Sequence, residues 1–578
     1  MAHSAVQFIH RMRAVWRPVL LALVYLALTI AILWPSLRAP YSLVAAGASK
    51  VAAVPLFNAW TMWWNAELFE RGIASYWDAP IFWPNEGTFA FSEPQPATLI
   101  VAPIIWLTDS RILAYNVYLT LSLVLNGLFA AALLRTLRIG RWFAAVGGAA
   151  VLMLPLVHEQ VDVVQLVPLW TVLWALDSIL RMKRDPSILR GVSGGVAVGL
   201  TFWTSVHHAL FLCVLLLLTV PLFPVRWKRK ATWIAAGAGL VPLAMLSLPL
   251  ILPIHSILNQ YEFERSDHLV ERLSAKPEQY LSSAGSGLIP GGLRSLPGHR
   301  RRLPGWLSCA AALTAVLVCG RRRRRATVFL VGFAAIAVLL ALGTNLRIGD
   351  WQPWWTMSEW IPGLAQVRNV YRFGYFFQLA VVLLAFVGLW RLFLFGRCRS
   401  RRIRKIWCGV VTMFAVAAAL ELYPPGFVVV GTPSVSSNRG WIDTVARELP
   451  AGKSVLYLPY VPGRRVADFD FTTRMMLLGT WHGAPSVNGY SGFFPSSHFE
   501  LQDLLEDDFP TQAALDHLAL NGVGLVVALT SLYPPDQMLV TTESQWRLSP
   551  VSRHASGFDV YRLERIQNPP AAKSHSAE

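Results

Sequence analysis

Apolar residues lie along this chain in stretches close to the roughly 20 that a helix needs to cross the hydrocarbon of a bilayer. The pattern predicts about eleven membrane helices, at 17–37, 112–134, 142–157, 162–180, 189–206, 208–224, 231–253, 305–320, 326–342, 373–396 and 406–422. Arg and Lys cluster between them, at Arg135 to Arg141, Arg181 to Arg190, Arg226 to Lys230, Arg321 to Arg325 and Arg397 to Lys405. With these spans all five clusters fall on the side of the N-terminus, which the positive-inside rule makes the cytoplasm. Residues 96–108 are apolar but too short to cross, and read as a re-entrant or interfacial helix. One cluster, His299-Arg-Arg-Arg302, falls on the far side, where it points to a lipid phosphate.

Three stretches on that far side, 38–111, 254–304 and 343–372, are too long to be simple connections and are the natural place for function. From about residue 423 the pattern changes. Val455-Leu-Tyr-Leu-Pro reads as a strand, 511–520 as an amphipathic helix and Val523-Gly-Leu-Val-Val-Ala as a second strand, with alternating segments near Trp546 and Phe558. The expected fold is an α-helical polytopic membrane domain, 1–422, followed by a small soluble α/β domain, 423–578, outside the membrane. No internal repeat is evident, which argues against an inverted-repeat transporter.

Composition agrees with lipid as the solvent: of 578 residues 54% are hydrophobic, 24 are Trp, and mean hydropathy is +0.45. The net charge of +18 sits in the clusters between apolar runs rather than over a surface, which excludes nucleic acid as the partner. Cys213, Cys309, Cys319, Cys398 and Cys408 all lie in or beside apolar runs, so neither a disulfide framework nor a thiolate metal site is implied. The basic start followed by an apolar run, without a small-residue cleavage site, reads as a retained first helix. There is no P-loop, dinucleotide fingerprint, HExxH or CxxC pair, and cytoplasmic nucleotide chemistry is not expected.

Candidate chemistry gathers on the exterior side. The first stretch interleaves Trp, Asn and acids: Pro55-Leu-Phe-Asn-Ala-Trp60, Trp63-Trp64-Asn65, Trp77-Asp78 and Phe91-Ser-Glu93-Pro. Trp60 and Trp64 suit stacking on sugar rings while amides and carboxylates bond hydroxyls, although an aromatic belt at the interface uses the same residues. His158, Glu159, Gln160, Asp162 and Gln165 fall within two predicted helical turns, with His158 and Asp162 spaced to orient a proton carrier or a metal, or simply to cap a helix. His207-His208 marks another exterior helix end. Arg368 and Arg372, four apart, share a face if helical and suit a phosphate clamp or snorkelling to headgroups.

These residues resemble a known group. A first span followed by Pro55-Leu-Phe-Asn-Ala-Trp60, Asp78-Ala-Pro-Ile-Phe-Trp-Pro84 and Ser92-Glu-Pro94 resembles the bacterial membrane proteins of the GT-C glycosyltransferase superfamily. Ala114-Tyr-Asn116, His158-x-Gln160 with Pro168 beyond, Arg368-x-x-x-Arg372-Phe373 before a span, and Val487-Asn-Gly-Tyr-Ser-Gly-Phe493 extend the resemblance over nearly the whole chain. It implies transfer of a sugar from a polyprenyl-phosphate donor to a cell-envelope glycan or lipid at the outer face of the bacterial cytoplasmic membrane. The base would be an acid in the first exterior stretch. Relatives carry Asp directly before the Pro-Leu-x-Asn-x-Trp motif, where this chain has Val54. Either Asp78 or Glu93 serves as base, or the protein has lost transfer and binds or translocates lipid-linked glycans. In the first case His158, Gln160, Gln165 and His207 face the substrate and Arg368 with Arg372 neutralises the donor phosphate. No motif specifies a cofactor, and a divalent metal stays open.

Overall fold

In the computed structural model, which describes residues 2–47, 50–220, 229–283, 301–318, 324–397, 399–506, 509–539 and 545–566, long apolar helices dominate. Among the described residues seven are long and apolar enough to cross a membrane: Arg17–Leu37, Arg111–Thr136, Arg141–Glu159, Lys230–Gln260, Arg324–Asn345, Val370–Gly396 and Arg401–Leu420. The chain is a multi-pass membrane protein. Arg226, Lys228, Arg321 to Arg323, His299, Arg300, Cys319 and Cys398 lie outside the described residues.

The other four expected spans are present as shorter helices, Trp170–Arg184, Ile188–Thr204, Val206–Thr219 and Trp306–Leu317, of 15, 17, 14 and 12 residues. The expected 162–180 span starts late for a local reason. Asn126 Nδ2 donates to Val167 O at 2.8 Å and Asn126 Oδ1 accepts from Leu169 N at 2.7 Å, so this amide holds the backbone before Trp170 out of a helix. Residues 142–157 are likewise broken at Met153 and Leu154, ahead of Pro155, which disfavours a helical residue before it. The apolar stretch 96–108 forms a 3-10 turn and a short helix, Ala102–Thr108.

Packing sorts the long helices into centre and rim. Gly374–Gly396 is apolar all round and buried along most of its length, whereas Lys230–Gln260 turns Leu240, Val241, Met245 and Leu252 outward, where lipid would lie. Helix Ile188–Thr204 meets Lys230–Gln260 through small residues: a Cβ on Gly191 would fall 1.8 Å from Ala235 O, and one on Gly195 1.9 Å from Gly239 O. Such close backbone approach is how helices associate in lipid, where the hydrophobic effect does not drive them together.

The stretch 38–111 holds an element that the sequence pattern does not show. It is built on a 19-residue helix, Ala53–Arg71, whose middle is buried on every side and therefore shows no amphipathic stripe in the sequence. Trp60 and Trp64 are part of that core. Trp60 stacks on Phe57 with ring centroids 5.9 Å apart, and Trp64 Nε1 donates to Tyr76 O at 2.9 Å.

A four-stranded sheet near the C-terminus has the order Ser454–Leu458, Val523–Leu529, Phe558–Arg565, Trp546–Arg553; the first pair is parallel and the others antiparallel. The parallel strands are apolar runs covered on both faces, as parallel pairs require. Helices Val435–Glu448 and Asp470–Gly479 lie on one side with Trp441, Val445 and Met475, and Gln512–Leu520 on the other with Leu515 and Leu518. This region is joined to the stretch 38–111 by main-chain bonds. Leu43–Ala45 pairs antiparallel with Val429–Gly431, Trp83 N donates to Ser486 O at 3.0 Å, and Phe493 N donates to Phe91 O at 2.9 Å.

Candidate functional site

Two asparagines of the Ala53–Arg71 helix hold the loop that carries Glu93. Asn65 Nδ2 donates to Pro94 O at 2.7 Å, and Gln95 Nε2 donates to Asn58 Oδ1 at 2.9 Å. Glu93 is thereby set against the N-terminus of Val206–Thr219, where its Oε2 accepts from Val206 N at 2.8 Å. A carboxylate is favoured at that end of a helix. Its other oxygen meets His207 Nδ1. Burial pushes the Glu93 carboxyl up, but His207, Arg372 and His208 together outweigh burial and hold it below the ordinary glutamate range. Glu93 is therefore a buried carboxylate that meets an imidazole and senses the charge of Arg372.

Arg368 and Arg372 do not share a helical face as the spacing predicts. Arg368 precedes a 3-10 turn, Val370–Phe373, in which Arg372 sits, because Asn369 adopts φ −97°, ψ 63° and breaks the helix. The two charges still sense each other: burial and Arg372 both push the Arg368 guanidinium down. A third arginine joins them. Arg265 donates from Nη2 to Gly492 O at 2.9 Å, lies 3.5 Å from the Phe493 ring centroid, and is pushed down to about 9 by burial and by Arg368. An arginine keeps its proton, so such crowding marks a place where a negative group is favoured.

Tyr490 is partly buried in the same surroundings. Burial raises its phenol, while Arg368 draws it down and Asp162 pushes it up, so it is within electrostatic reach of a guanidinium and a carboxylate. Asp162 belongs to the same neighbourhood as Val54, since Asn58 Nδ2 lies 3.0 Å from Val54 O and 3.2 Å from Asp162 O. Tyr490 and Arg265 were not singled out by sequence reasoning as site residues. The signal available for Tyr490 was its place in the Val487 to Phe493 motif.

The other predicted residues take varied positions. Gln160 Nε2 meets the Tyr371 hydroxyl, next to Arg372. His158 and Asp162 do not share a helix, because helix Pro155–Glu159 ends between them; His158 turns back, with Nε2 2.9 Å from Leu152 O. Gln165 lies on the 3-10 turn Val164–Leu166 with its Oε1 buried. Asp78 is exposed and stands apart from the arginines: its Oδ1 accepts from Gly87 N at 2.7 Å and pins a turn whose φ of 68° suits glycine. Trp60 and Trp64 face the core rather than this cluster. Among the described residues no group of three or more His, Cys, Asp or Glu is gathered where a metal would sit.

In sequence the chain matches no family model and no curated protein. In structure it is similar to the arabinofuranosyltransferase AftD from Mycobacteria, with a TM-score of 0.57 and 15% identity over 94% of this chain and 41% of that one. It is also similar to ArnT from Cupriavidus metallidurans (TM-score 0.48, 13% identity, 96% and 98% covered) and to the oligosaccharyltransferase of Archaeoglobus fulgidus (0.47, 11%, 90% and 70%). The chain thus spans about two fifths of the length of the arabinofuranosyltransferase.

Proposed function

We infer that the chain, whose fold is GT-C-like, is a membrane glycosyltransferase. We propose that it transfers a sugar from a polyprenyl-phosphate donor to a cell-envelope glycan or lipid acceptor. The observation that carries this reading is Glu93, a buried carboxylate in contact with His207 and within electrostatic reach of Arg372. In the proposed reaction Glu93 takes the proton of the acceptor hydroxyl as the donor's phosphate leaves, and Arg372, Arg368 and Arg265 stabilise the negative charge that develops. Gln160, held at Tyr371, reaches the same surroundings. Asp78, tied to its own turn, is assigned to loop structure rather than to catalysis.

The proposed setting is the bacterial cytoplasmic membrane, with the N-terminus in the cytoplasm and residues 423–578 as an extracytoplasmic domain. The basic clusters support that orientation. The similarity to an arabinofuranosyltransferase makes an arabinofuranosyl-bearing donor the first to try.

The test is transfer by the purified protein from a panel of radiolabelled polyprenyl-phosphate sugars to a membrane lipid fraction. Loss of transfer in Glu93→Gln supports the assignment, and unchanged transfer refutes it. Val54 favours a second reading, a catalytically silent protein that binds or translocates lipid-linked glycan. Saturable donor binding with no transfer from any donor would select it.

A further inference from the structure

Three segments bring cations together at one end of the helical bundle. Helix Arg111–Thr136 packs along Trp170–Arg184; Arg138 lies just beyond the first, and Arg181, Lys183 and Arg184 sit in the last turn of the second. Arg184 is within electrostatic reach of Arg138. Lys183, half-buried, is within reach of Arg184 and of Arg325, which stands in the first turn of helix Arg324–Leu342. The acid in these surroundings, Asp177, is ion-paired with Arg181 at 2.7 Å. Arg138, Arg181, Lys183, Arg184 and Arg325 against Asp177 leave a clear excess of positive charge. Gathering like charges from separate segments is unfavourable, and an anion seated among them offsets that cost.

The helix that carries Arg325 indicates the kind of anion. Arg325, Val328, Val331, Ala335 and Leu339 recur at spacings of three and four and are all exposed, so they form one stripe with a cation at its end and apolar side chains along the rest. At the helical rise the apolar part, Val328 to Leu339, is about 16 Å long, which matches the roughly 15 Å of hydrocarbon in one leaflet. Free phosphate or an acidic protein would use the charge and leave the stripe bare. A phospholipid uses both.

We propose that Lys183, Arg184 and Arg325 form a binding site for an anionic phospholipid, its phosphate among the three cations and an acyl chain along Val328, Val331 and Leu339. The site is separate from the Glu93 cluster. At the other end of the same helix, about 27 Å away by helical rise, a Cβ on Gly343 would lie 2.8 Å from Val370, two residues before Arg372. The lipid site therefore stands whether or not the chain transfers sugar.

The test uses the full chain, purified in a neutral detergent, with melting followed by intrinsic fluorescence while phosphatidylglycerol, phosphatidylcholine or inorganic phosphate is titrated in. The expected result is a saturable rise in melting temperature with phosphatidylglycerol and none with the other two. A cation at a membrane surface strengthens binding of anionic lipid by about fivefold, so Lys183→Gln and Arg325→Gln should each raise the half-saturating lipid concentration by about that factor. Neither variant should melt below wild type without lipid, because each relieves a like-charge contact. Val331→Ser, which leaves every charge, should weaken binding by about twofold to fivefold through the acyl contact. Equal stabilisation by phosphatidylcholine, or by inorganic phosphate at the same concentration, overturns the assignment to an anionic lipid. Wild-type half-saturation in both charge variants, or no rise with phosphatidylglycerol, overturns the site.

Discussion

Glu93 and His207 lie 114 positions apart in sequence and form a buried carboxylate–imidazole contact at the N-terminus of helix Val206–Thr219. The pair couples the stretch 38–111 to the helical bundle. Because the folded carboxyl is held below the ordinary glutamate range, its contribution is fully present above that range. It is lost only as the pH falls through the still lower folded value. Unfolding followed by intrinsic fluorescence should therefore show Glu93→Gln and wild type converging in melting temperature on acidification. His207→Ala, which leaves a buried acceptor short of a partner, should cost about 2 kcal/mol at neutral pH.

Asp78 provides the contrast. Its carboxylate is exposed and serves Gly87 N, so Asp78→Asn keeps an acceptor at the turn and should leave donor affinity and any transfer within about twofold of wild type. A loss in Asp78→Asn comparable to that in Glu93→Gln would return the base assignment to Asp78.

Close helix contact at Gly195 leads to a larger effect. A leucine there would drive its Cβ, at 1.9 Å, into the Gly239 carbonyl, and neither backbone can yield without separating the two helices. Gly195→Leu should fall outside the about 1–3 kcal/mol usual for overpacking and fail to give a monodisperse peak in detergent size-exclusion chromatography. Gly237→Ala, on the same partner helix with open space around it, should elute as wild type.

Glu421 caps a helix to which it is distant in sequence. Its carboxylate accepts from Trp306 N at 2.6 Å, Leu307 N at 3.0 Å and Ser308 N at 3.2 Å, the exposed donors at the start of Trp306–Leu317, where Gly305 offers no side chain. Glu421→Ala should lose about 1–2 kcal/mol in thermal unfolding, as other lost helix caps do, and Glu421→Gln should recover part of it.

Local sequence determined that this is a membrane protein, where its long apolar helices lie, and, to within a residue or two, where the strands Ser454–Leu458 and Val523–Leu529 run, because apolar run length and strand composition act over a few residues. It also placed Glu93 in the first long stretch between spans, His207 at a helix end and Arg372 just before a span, but not beside one another. Only the tertiary structure decided that Glu93 faces His207 rather than solvent, that Asp162 and Tyr490 lie near Val54 and Arg368, and that Trp60 and Trp64 are core. The helix Ala53–Arg71 was hidden for the same reason: buried on all sides, it has no polar face to reveal a period. Arg302 was legible only as one of a basic run. Its surroundings depend on Gln279, Gln378 and Tyr371 arriving from separate segments, and which segments meet is decided by packing, not by local periodicity.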